Sequence, residues 1–533
     1  MLSIPRNLWL IFLIALVFRL YSLSTLPYGF HIDEVKAGWN ALSLLTTAHD
    51  DHQVFMPAYY DSFGDQRPTG IFYLIIPSLL LWGRTIFAVR FPSALIGALT
   101  VFPIFFLTRR LFPSSSKSIP LLAAFILALN PWHIAVSRAT SEVAISLFFT
   151  AIALCFTLAQ INSKRKHFIF FSVFFFFISF FFYHSIRVLA PFLVFIILYF
   201  YRNRSLVVTF ILVALLSTIV MLNPASRGRL SQVSLVSDFK VIYETQKMPA
   251  EEGPGHVFEA RFFHNKIAAY AKRFLEEYSN YFSPQYLVGT SARPIRYQTP
   301  YFGLITYLEL FFLFVAISQY RHLPSHKILW LLLFLAPLPS AVTIEDTPNL
   351  HRSMLMVLPL LILASLGLSH VFTWSKFTKY IVVFLYLLNF SYFLHLYFVH
   401  GKFGLSTYYR DGGMIEMIAA VKKVSSNYDQ IIFTNYTDNP YPWLAFFSTL
   451  SPSTFNKHYL SNSENVYSFQ KYTFSNSHCP TQNYSPSLNS KKILFINGEG
   501  CVVDPKNPAT PLIHKFTITR PDLSPAFQLW ENQ

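Results

Sequence analysis

Three clusters of titratable side chains crowd the first polar stretch of the sequence: His31, Asp33 and Glu34; His49, Asp50, Asp51 and His52; and Asp61, Asp65 and Arg67. Carboxylates and imidazoles exchange protons with a reacting group when held about 3 Å from it. Guanidinium groups hold phosphate or carboxylate through paired, charge-assisted N–H bonds. Basic residues recur at or near the ends of later apolar runs, at Arg138, Arg187 and Arg352. Glu142 follows Arg138 by one helical turn, so the two can pair on one face. Charges at such margins are functional candidates by default. The Asp33–Glu34 pair has two readings, a proton-transfer pair or an ordinary helix cap with solvated acids, and the residues alone favour the second. His49 to His52 combines imidazole with carboxylate, a donor set that suits a divalent ion. Consecutive residues do not all converge on one ion without help, so no metal site is assigned there.

The elements that must position these groups are membrane helices. Of 533 residues, 53% are hydrophobic and only 13% charged, against roughly 25% charged in soluble domains. The 57 phenylalanines include the runs Phe174–Phe177 and Phe180–Phe182, which a soluble surface would not tolerate but lipid would. A formal charge of +16 would suggest nucleic acid for a soluble chain. Here many Lys and Arg lie in short loops between apolar runs, where they set orientation, and no nucleic-acid partner is expected. The fold class read from this pattern is a polytopic α-helical membrane protein with about eleven spans. These are Leu8–Leu26, Ile86–Leu107, Ile119–Val136, Ser141–Ile161, Phe168–Tyr183, Val188–Tyr201, Ser205–Asn223, Tyr301–Gln319, Ile328–Ile344, Ser353–Thr373 and Tyr380–Val399.

A twelfth run, Gly70–Trp82, has thirteen residues. At 1.5 Å per residue it reaches roughly 20 Å, short of a ~30 Å hydrocarbon core, so it suits a re-entrant or interfacial helix. With that run non-spanning, thirteen Lys and Arg fall in the short segments on one side, Lys117, Lys164 and Arg321 among them, and six fall opposite: Lys36, Arg67, Arg84, Arg138, Arg187 and Arg352. The bias places the N-terminus in the cytoplasm and the C-terminus outside. The first helix is read as uncleaved, with no small-residue cleavage site near Leu26.

After Val399 the composition turns to Asn, Ser, Tyr, Pro and Lys. A helix near Gly412–Ser426, with Met414, Ile415, Ile418 and Val421 on its buried face, and strands Gln430–Thr434, Lys492–Asn497 and Lys515–Thr519 predict an α/β soluble domain. The expected organisation is a transmembrane domain over 1–400, with outside loops at 27–85 and 224–300, and an extracytoplasmic domain over 401–533. Cys479 and Cys501 lie in that domain, where a disulfide and two free thiols are both open readings.

Spaced short motifs then give a resemblance. Arg19, His31-Ile-Asp33-Glu34, Leu44-Leu45-Thr-Thr-Ala-His-Asp-Asp51, Pro57, Ser62-Phe-Gly-Asp-Gln-Arg67-Pro68 and Ala88-Val89-Arg90-Phe91-Pro92-Ser93 resemble the dolichyl-phosphate-mannose protein mannosyltransferase family, especially its bacterial branch with the aminoarabinose transferases. Asn130-Pro131, Ser137-Arg138, Glu142, Tyr183-His184, Arg187, His351-Arg352 and Leu358-Pro359 continue it, over roughly residues 5 to 400. The resemblance implies the C-type glycosyltransferase (GT-C) fold, a bacterial plasma membrane, and a sugar donor on a single polyprenyl phosphate. The acceptor is a protein, lipid or glycan at the outer face.

The same resemblance implies catalytic roles for Asp33 and Glu34, the first deprotonating the acceptor, and reverses the reading that the pair alone favours. It puts Arg67, Arg90 and Arg138 at the donor phosphate, and Glu142, Asp51, His184, Arg187 and Arg352 around the substrates. Arg67 stands where the family usually has Lys before Pro-Pro, and Thr69 replaces the second Pro, which keeps the charge but not the loop shape. No cofactor is required, although some members are seen with a divalent metal, so one is compatible. The competing function is a lipid-linked sugar flippase or other transporter. A transporter calls for paired repeats and charges near mid-membrane, whereas these charges gather at one interface and no repeat is evident.

Overall fold

The computed structural model describes residues 4–62, 65–113, 118–163, 165–224, 235, 238–320, 322–435, 439–448, 450–454, 468–483, 491–501 and 512–532. Lys117, Lys164 and Arg321, counted in the charge bias, lie outside them. Among the described residues, six helices are long and apolar enough to cross a membrane: Ile86–Leu111, Glu142–Ala159, His184–Tyr201, Arg204–Leu222, Met354–Trp374 and Lys376–His400. A seventh candidate is the pair Ser118–Leu129 and Pro131–Arg138, bent by 54°. The bend falls at Asn130, extended at ψ 118° before a proline that disfavours helical geometry in the residue ahead of it. The four remaining expected runs form helices Arg6–Leu20, His167–Phe180, Tyr307–Tyr320 and Pro324–Leu335, of 15, 14, 14 and 12 residues. Each of the eleven expected spans thus corresponds to an apolar helix or helix pair, and among the described residues six or seven of them have spanning length.

The chain divides into two compact units. The first comprises Met1–Tyr21, Ala58–Gly70 and Ser93–Tyr397. Helix Val357–Trp374 runs through its core, buried at every residue from Val357 to Leu368. Helix Tyr307–Tyr320 lies against it because Gly367 has no side chain: a Cβ there would stand 1.8 Å from the Phe312 carbonyl oxygen. Other helices turn apolar side chains outward, such as Val207, Ile211, Leu215 and Ile219, or Phe377, Tyr380, Phe384 and Leu388. A face of this kind belongs in lipid, and the chain is an integral membrane protein. Strands β1 (Tyr59–Ser62) and β2 (Asp65–Pro68) form an antiparallel hairpin in which Tyr60 faces Arg67. Within the long loop after Leu222, helix Lys266–Asn280 is anchored by Arg273, which pairs with Asp238 at 2.5 Å, Glu276 at 2.8 Å and Glu277 at 2.5 Å.

The second unit comprises Ser22–Pro57, Ile71–Pro92 and Phe398–Gln533. It contains helix Ile32–Thr47 and most of helix Gly70–Trp82, whose bounds are those the apolar run predicts. Its sheet has six strands: β3 (Gln430–Thr434), β4 (Ser468–Phe469), β5 (Tyr472–Ser475), β6 (Ile493–Gly498), β7 (Leu512–Thr519) and β8 (Pro525–Asn532), in the order β4-β5-β3-β6-β8-β7. β3 runs parallel to β5 and β6, and the remaining pairs are antiparallel. β6 is buried along its whole length, as a central strand covered on both faces must be. Ile493, Phe495, Leu512 and Trp530 form a core cluster within it. Helix Met414–Val424 buries Met414, Met417, Ile418 and Val421. Cys479 and Cys501 are joined as a disulfide, which settles the two open readings of these cysteines.

Candidate functional site

In the second unit, helix Ile32–Thr47 begins with a reciprocal cap. The His31 imidazole Nδ1 accepts from the Asp33 amide at 3.1 Å, and the Glu34 carboxylate accepts from the His31 amide at 3.3 Å. Two orphan donors of the first turn are thereby satisfied. Adjacent helical residues point about 100° apart, and here this separates the two acids. Glu34 is 2% exposed, whereas the Asp33 side chain keeps 24% of its surface open beside His31, 3.4 Å away.

Glu34 goes inward because two guanidiniums meet it there. Arg90 donates to both carboxylate oxygens, at 2.9 and 3.1 Å, and Arg410 donates to Oε2. The other Arg90 hydrogen bonds reach the carbonyls of Leu23 at 3.2 Å, Pro27 at 2.9 Å and Gly29 at 2.5 Å. These contacts match the five N–H donors of a guanidinium. Arg90, expected at the donor phosphate, is fully buried in this role, and a phosphate would have to displace one of these partners. The segment ahead of the helix is held equally closely. Trp443 donates to the Phe30 carbonyl at 2.9 Å, Tyr28 donates to Glu416 at 2.9 Å, and Asp411 accepts from the Ile32 amide at 2.9 Å. Gly29 has φ +83°, and a Cβ there would lie 2.3 Å from the Arg410 carbonyl oxygen.

The other end of the same helix supports the second acid cluster. Asn40 donates to Asp51 at 3.3 Å and accepts from its amide at 3.0 Å, while Asp50 accepts from the amides of His52 and Val54 at 3.0 and 2.8 Å. Burial raises the Asp50 carboxyl above its ordinary value. Ligand atoms of Asp50, Asp51 and His52 all lie within 4.8 Å of one another. Three of the four residues are thus brought near one another. The turn at Asp50–Gln53, closed by the Asp50 side chain, folds them together, and this trio has a donor set able to hold a divalent ion. The His49 ring is instead bonded to the Thr47 carbonyl at 2.6 Å.

In the first unit, Arg138 ends helix Pro131–Arg138, whose cap is Asn130, and is fully buried. It donates to the carbonyls of Phe18 at 2.8 Å and Arg19 at 3.1 Å and lies 5.4 Å from the Tyr397 ring centre. Arg19 is buried as well, bonded to the carbonyls of Ala15, Leu127 and Ala128, to Ser137 and to the His133 ring. Glu142 begins the next helix, and Ala139 and Ser141 between it and Arg138 are extended. The expected helical turn linking Arg138 to Glu142 is therefore absent, because one helix ends and another starts between them.

Arg187 caps helix His167–Phe180, donating to the Phe180 carbonyl at 3.0 and 2.6 Å, with His184 at 3.0 Å and the Tyr59 ring centre 5.1 Å away. Arg352 holds the Thr343 hydroxyl at 2.7 Å and Glu345 at 2.6 Å. Arg67 sits half-buried on β2. Sequence reasoning missed Arg410 and Asp411, which stand before Gly412 and Gly413 in an otherwise weakly charged stretch. That dipeptide was the available signal, but 376 residues separate Arg410 from Glu34.

Comparison with known proteins agrees with this fold. Residues 66–226 match the family described as Dolichyl-phosphate-mannose-protein mannosyltransferase. The chain is similar in structure to ArnT from Cupriavidus metallidurans bound to undecaprenyl phosphate, with TM-score 0.54 and 12% identity over 99% of each chain. The apo state of that protein gives 0.52 and 11% over 98% of this chain and 97% of that one. The oligosaccharyltransferase AglB from Archaeoglobus fulgidus, in complex with an inhibitory peptide and a dolichol-phosphate, gives 0.49 and 12% over 83% of this chain, which spans 63% of AglB. No protein of curated function matches the sequence. The resemblance to the C-type glycosyltransferases read from the motifs is met by the family match and by the fold.

Proposed function

We propose that the chain is an inverting glycosyltransferase that moves a sugar from a polyprenyl-phosphate monosaccharide to a protein, lipid or glycan acceptor at the outer membrane face. The observation that carries this reading is the division of labour at the start of helix Ile32–Thr47. Glu34 is buried and doubly paired with arginines, while the Asp33 side chain, one residue away, keeps 24% of its surface exposed. The family match over residues 66–226 and the fold of ArnT, whose structure holds undecaprenyl phosphate, support the donor class.

In the proposed reaction the acceptor hydroxyl or amine gives its proton to Asp33 and attacks the anomeric carbon. The bond from that carbon to the phosphate oxygen breaks, and polyprenyl phosphate leaves with the electron pair. Negative charge grows on the phosphate, and preorganised cations lower the barrier by meeting it. Arg67 and Arg138 take that role, while Arg90, bonded as described above, holds Glu34 and the Leu23–Gly29 segment. Asp51, Glu142, His184, Arg187 and Arg352 shape the substrate surroundings. No step needs a metal; Asp50, Asp51 and His52 are the described group that would hold a divalent ion.

Membrane orientation completes the proposal: a bacterial plasma membrane, N-terminus in the cytoplasm, residues 401–533 outside, and Gly70–Trp82 re-entrant. The test is turnover by purified protein in vesicles, read as undecaprenyl phosphate released from a panel of undecaprenyl-phosphate monosaccharides mixed with an envelope acceptor fraction. Sugar-dependent release that requires acceptor supports the reading. Movement of the intact donor across the bilayer without release would replace it with the flippase.

A further inference from the structure

A buried carboxylate held by two arginines is costly to assemble, and the three residues come from three distant segments of the chain. Glu34 is on the helix that carries Asp33, Arg90 opens the helix beginning at Ile86, and Arg410 belongs to the segment leading into helix Met414–Val424. Arg410 and Glu34 side chains are each 2% exposed. The next residue, Asp411, has φ +55°, a conformation in which Asp and Asn are the commonest non-glycine residues. In that conformation its Oδ2 accepts the Ile32 amide at 2.9 Å, one of the four N–H groups that the first turn of a helix leaves unsatisfied. Gly29, packed on the Arg410 carbonyl oxygen, brings the two backbones together. One dipeptide thus grips the first turn twice, through the Glu34 side chain and through the Ile32 main chain.

From this geometry we infer that Arg410 and Asp411 are positioning residues for the reaction: the C-terminal segment fixes the helix start on which Asp33 is presented, acting through Glu34 and the Ile32 amide. The inference rests on the reading of Asp33 as the base. It gives the tail a task in turnover. A catalytic group displaced by about 1 Å loses on the order of a hundredfold in rate, so a grip on this turn bears on kcat and leaves donor affinity untouched.

The test uses the full-length protein in vesicles and whichever undecaprenyl-phosphate monosaccharide the wild type turns over. Arg410→Gln is expected to lower kcat about tenfold or more with KM for the donor within about twofold, and Arg410→Lys to recover most of the loss. Asp411→Ala should lower kcat as well, and Asp411→Asn, which keeps an acceptor and tolerates the positive φ, should restore it. Combining Glu34→Gln with Arg410→Gln should cost no more than the worse single change, as for residues that act as a unit. If Arg410→Gln does not fold, the Asp411 pair decides. Wild-type kcat in Arg410→Gln or Asp411→Ala, or a loss confined to KM, would overturn the inference while Asp33→Asn stays inactive. Full turnover by Asp33→Asn would instead remove the reading on which it rests.

Discussion

The two arginine centres of the molecule are built on opposite principles. In the second unit, Arg90 and Arg410 close on the Glu34 carboxylate, which offsets one of the two positive charges on the spot. In the first unit, Arg19 is held by three carbonyls, a hydroxyl and an imidazole, with no acid among its partners in the described residues, and it packs on the segment that carries Arg138. Carbonyls satisfy a guanidinium's hydrogen bonds without neutralising it. A cation held in that way keeps its full charge, whereas a carboxylate offsets part of the field of the cations it holds. An arginine pair that braces a carboxylate thus stands against an arginine whose described partners are all uncharged acceptors.

The largest effect should come from the carboxylate-held centre. Arg90→Ala leaves Glu34 buried with half its pairing gone and is expected to cost ~3–5 kcal/mol of stability. Thermal unfolding of purified protein in detergent should show the loss, and a variant as stable as wild type would end the brace reading. Next comes the disulfide of the tail. Opening Cys479–Cys501, which closes a separation of 22 residues, should destabilise the second unit by ~2–4 kcal/mol, visible as earlier proteolysis of the tail under reduction. Arg138→Ala should act on binding: losing charge-assisted bonds to phosphate costs ~1.5–3 kcal/mol. Affinity for undecaprenyl phosphate, followed by fluorescence or calorimetry, should fall about tenfold to a hundredfold. Unchanged affinity would take Arg138 out of the phosphate site and remove the contrast between the centres.

The smallest expected effect is one of pH. Burial raises the Asp50 carboxyl, so between its unfolded and folded values the folded chain binds the extra proton. Stability therefore falls as pH rises through that window and is greater below it. Asp50→Asn should flatten that slope in unfolding curves recorded upward from the ordinary carboxylate range.

Local patterns were legible in the sequence, and pairings across the chain were not. Strand Gln430–Thr434 and helix Gly70–Trp82 have the bounds their residues predict, because alternation and an uninterrupted apolar run are local signals. Helix Tyr441–Phe447 and strand β8 escaped notice. The first is a short apolar run that periodicity cannot assign, and the second is a strand between β6 and β7 whose burial comes from those neighbours. The turn expected from Arg138 to Glu142 failed because spacing says nothing about where a helix ends. Glu34 looked like half of a working pair, since its partner at Arg410 becomes visible only when distant segments fold together.

Asp33 is the residue on which the proposed reaction turns, on a helix whose start Arg90 and Arg410 hold through Glu34. Asp33→Asn keeps the shape of the side chain and removes its capacity to take a proton. Purified in vesicles, this variant should release undecaprenyl phosphate from the donor ~100-fold more slowly or worse, while binding undecaprenyl phosphate as tightly as wild type does. Release at close to the wild-type rate by a correctly folded Asp33→Asn protein would contradict the assignment of the base.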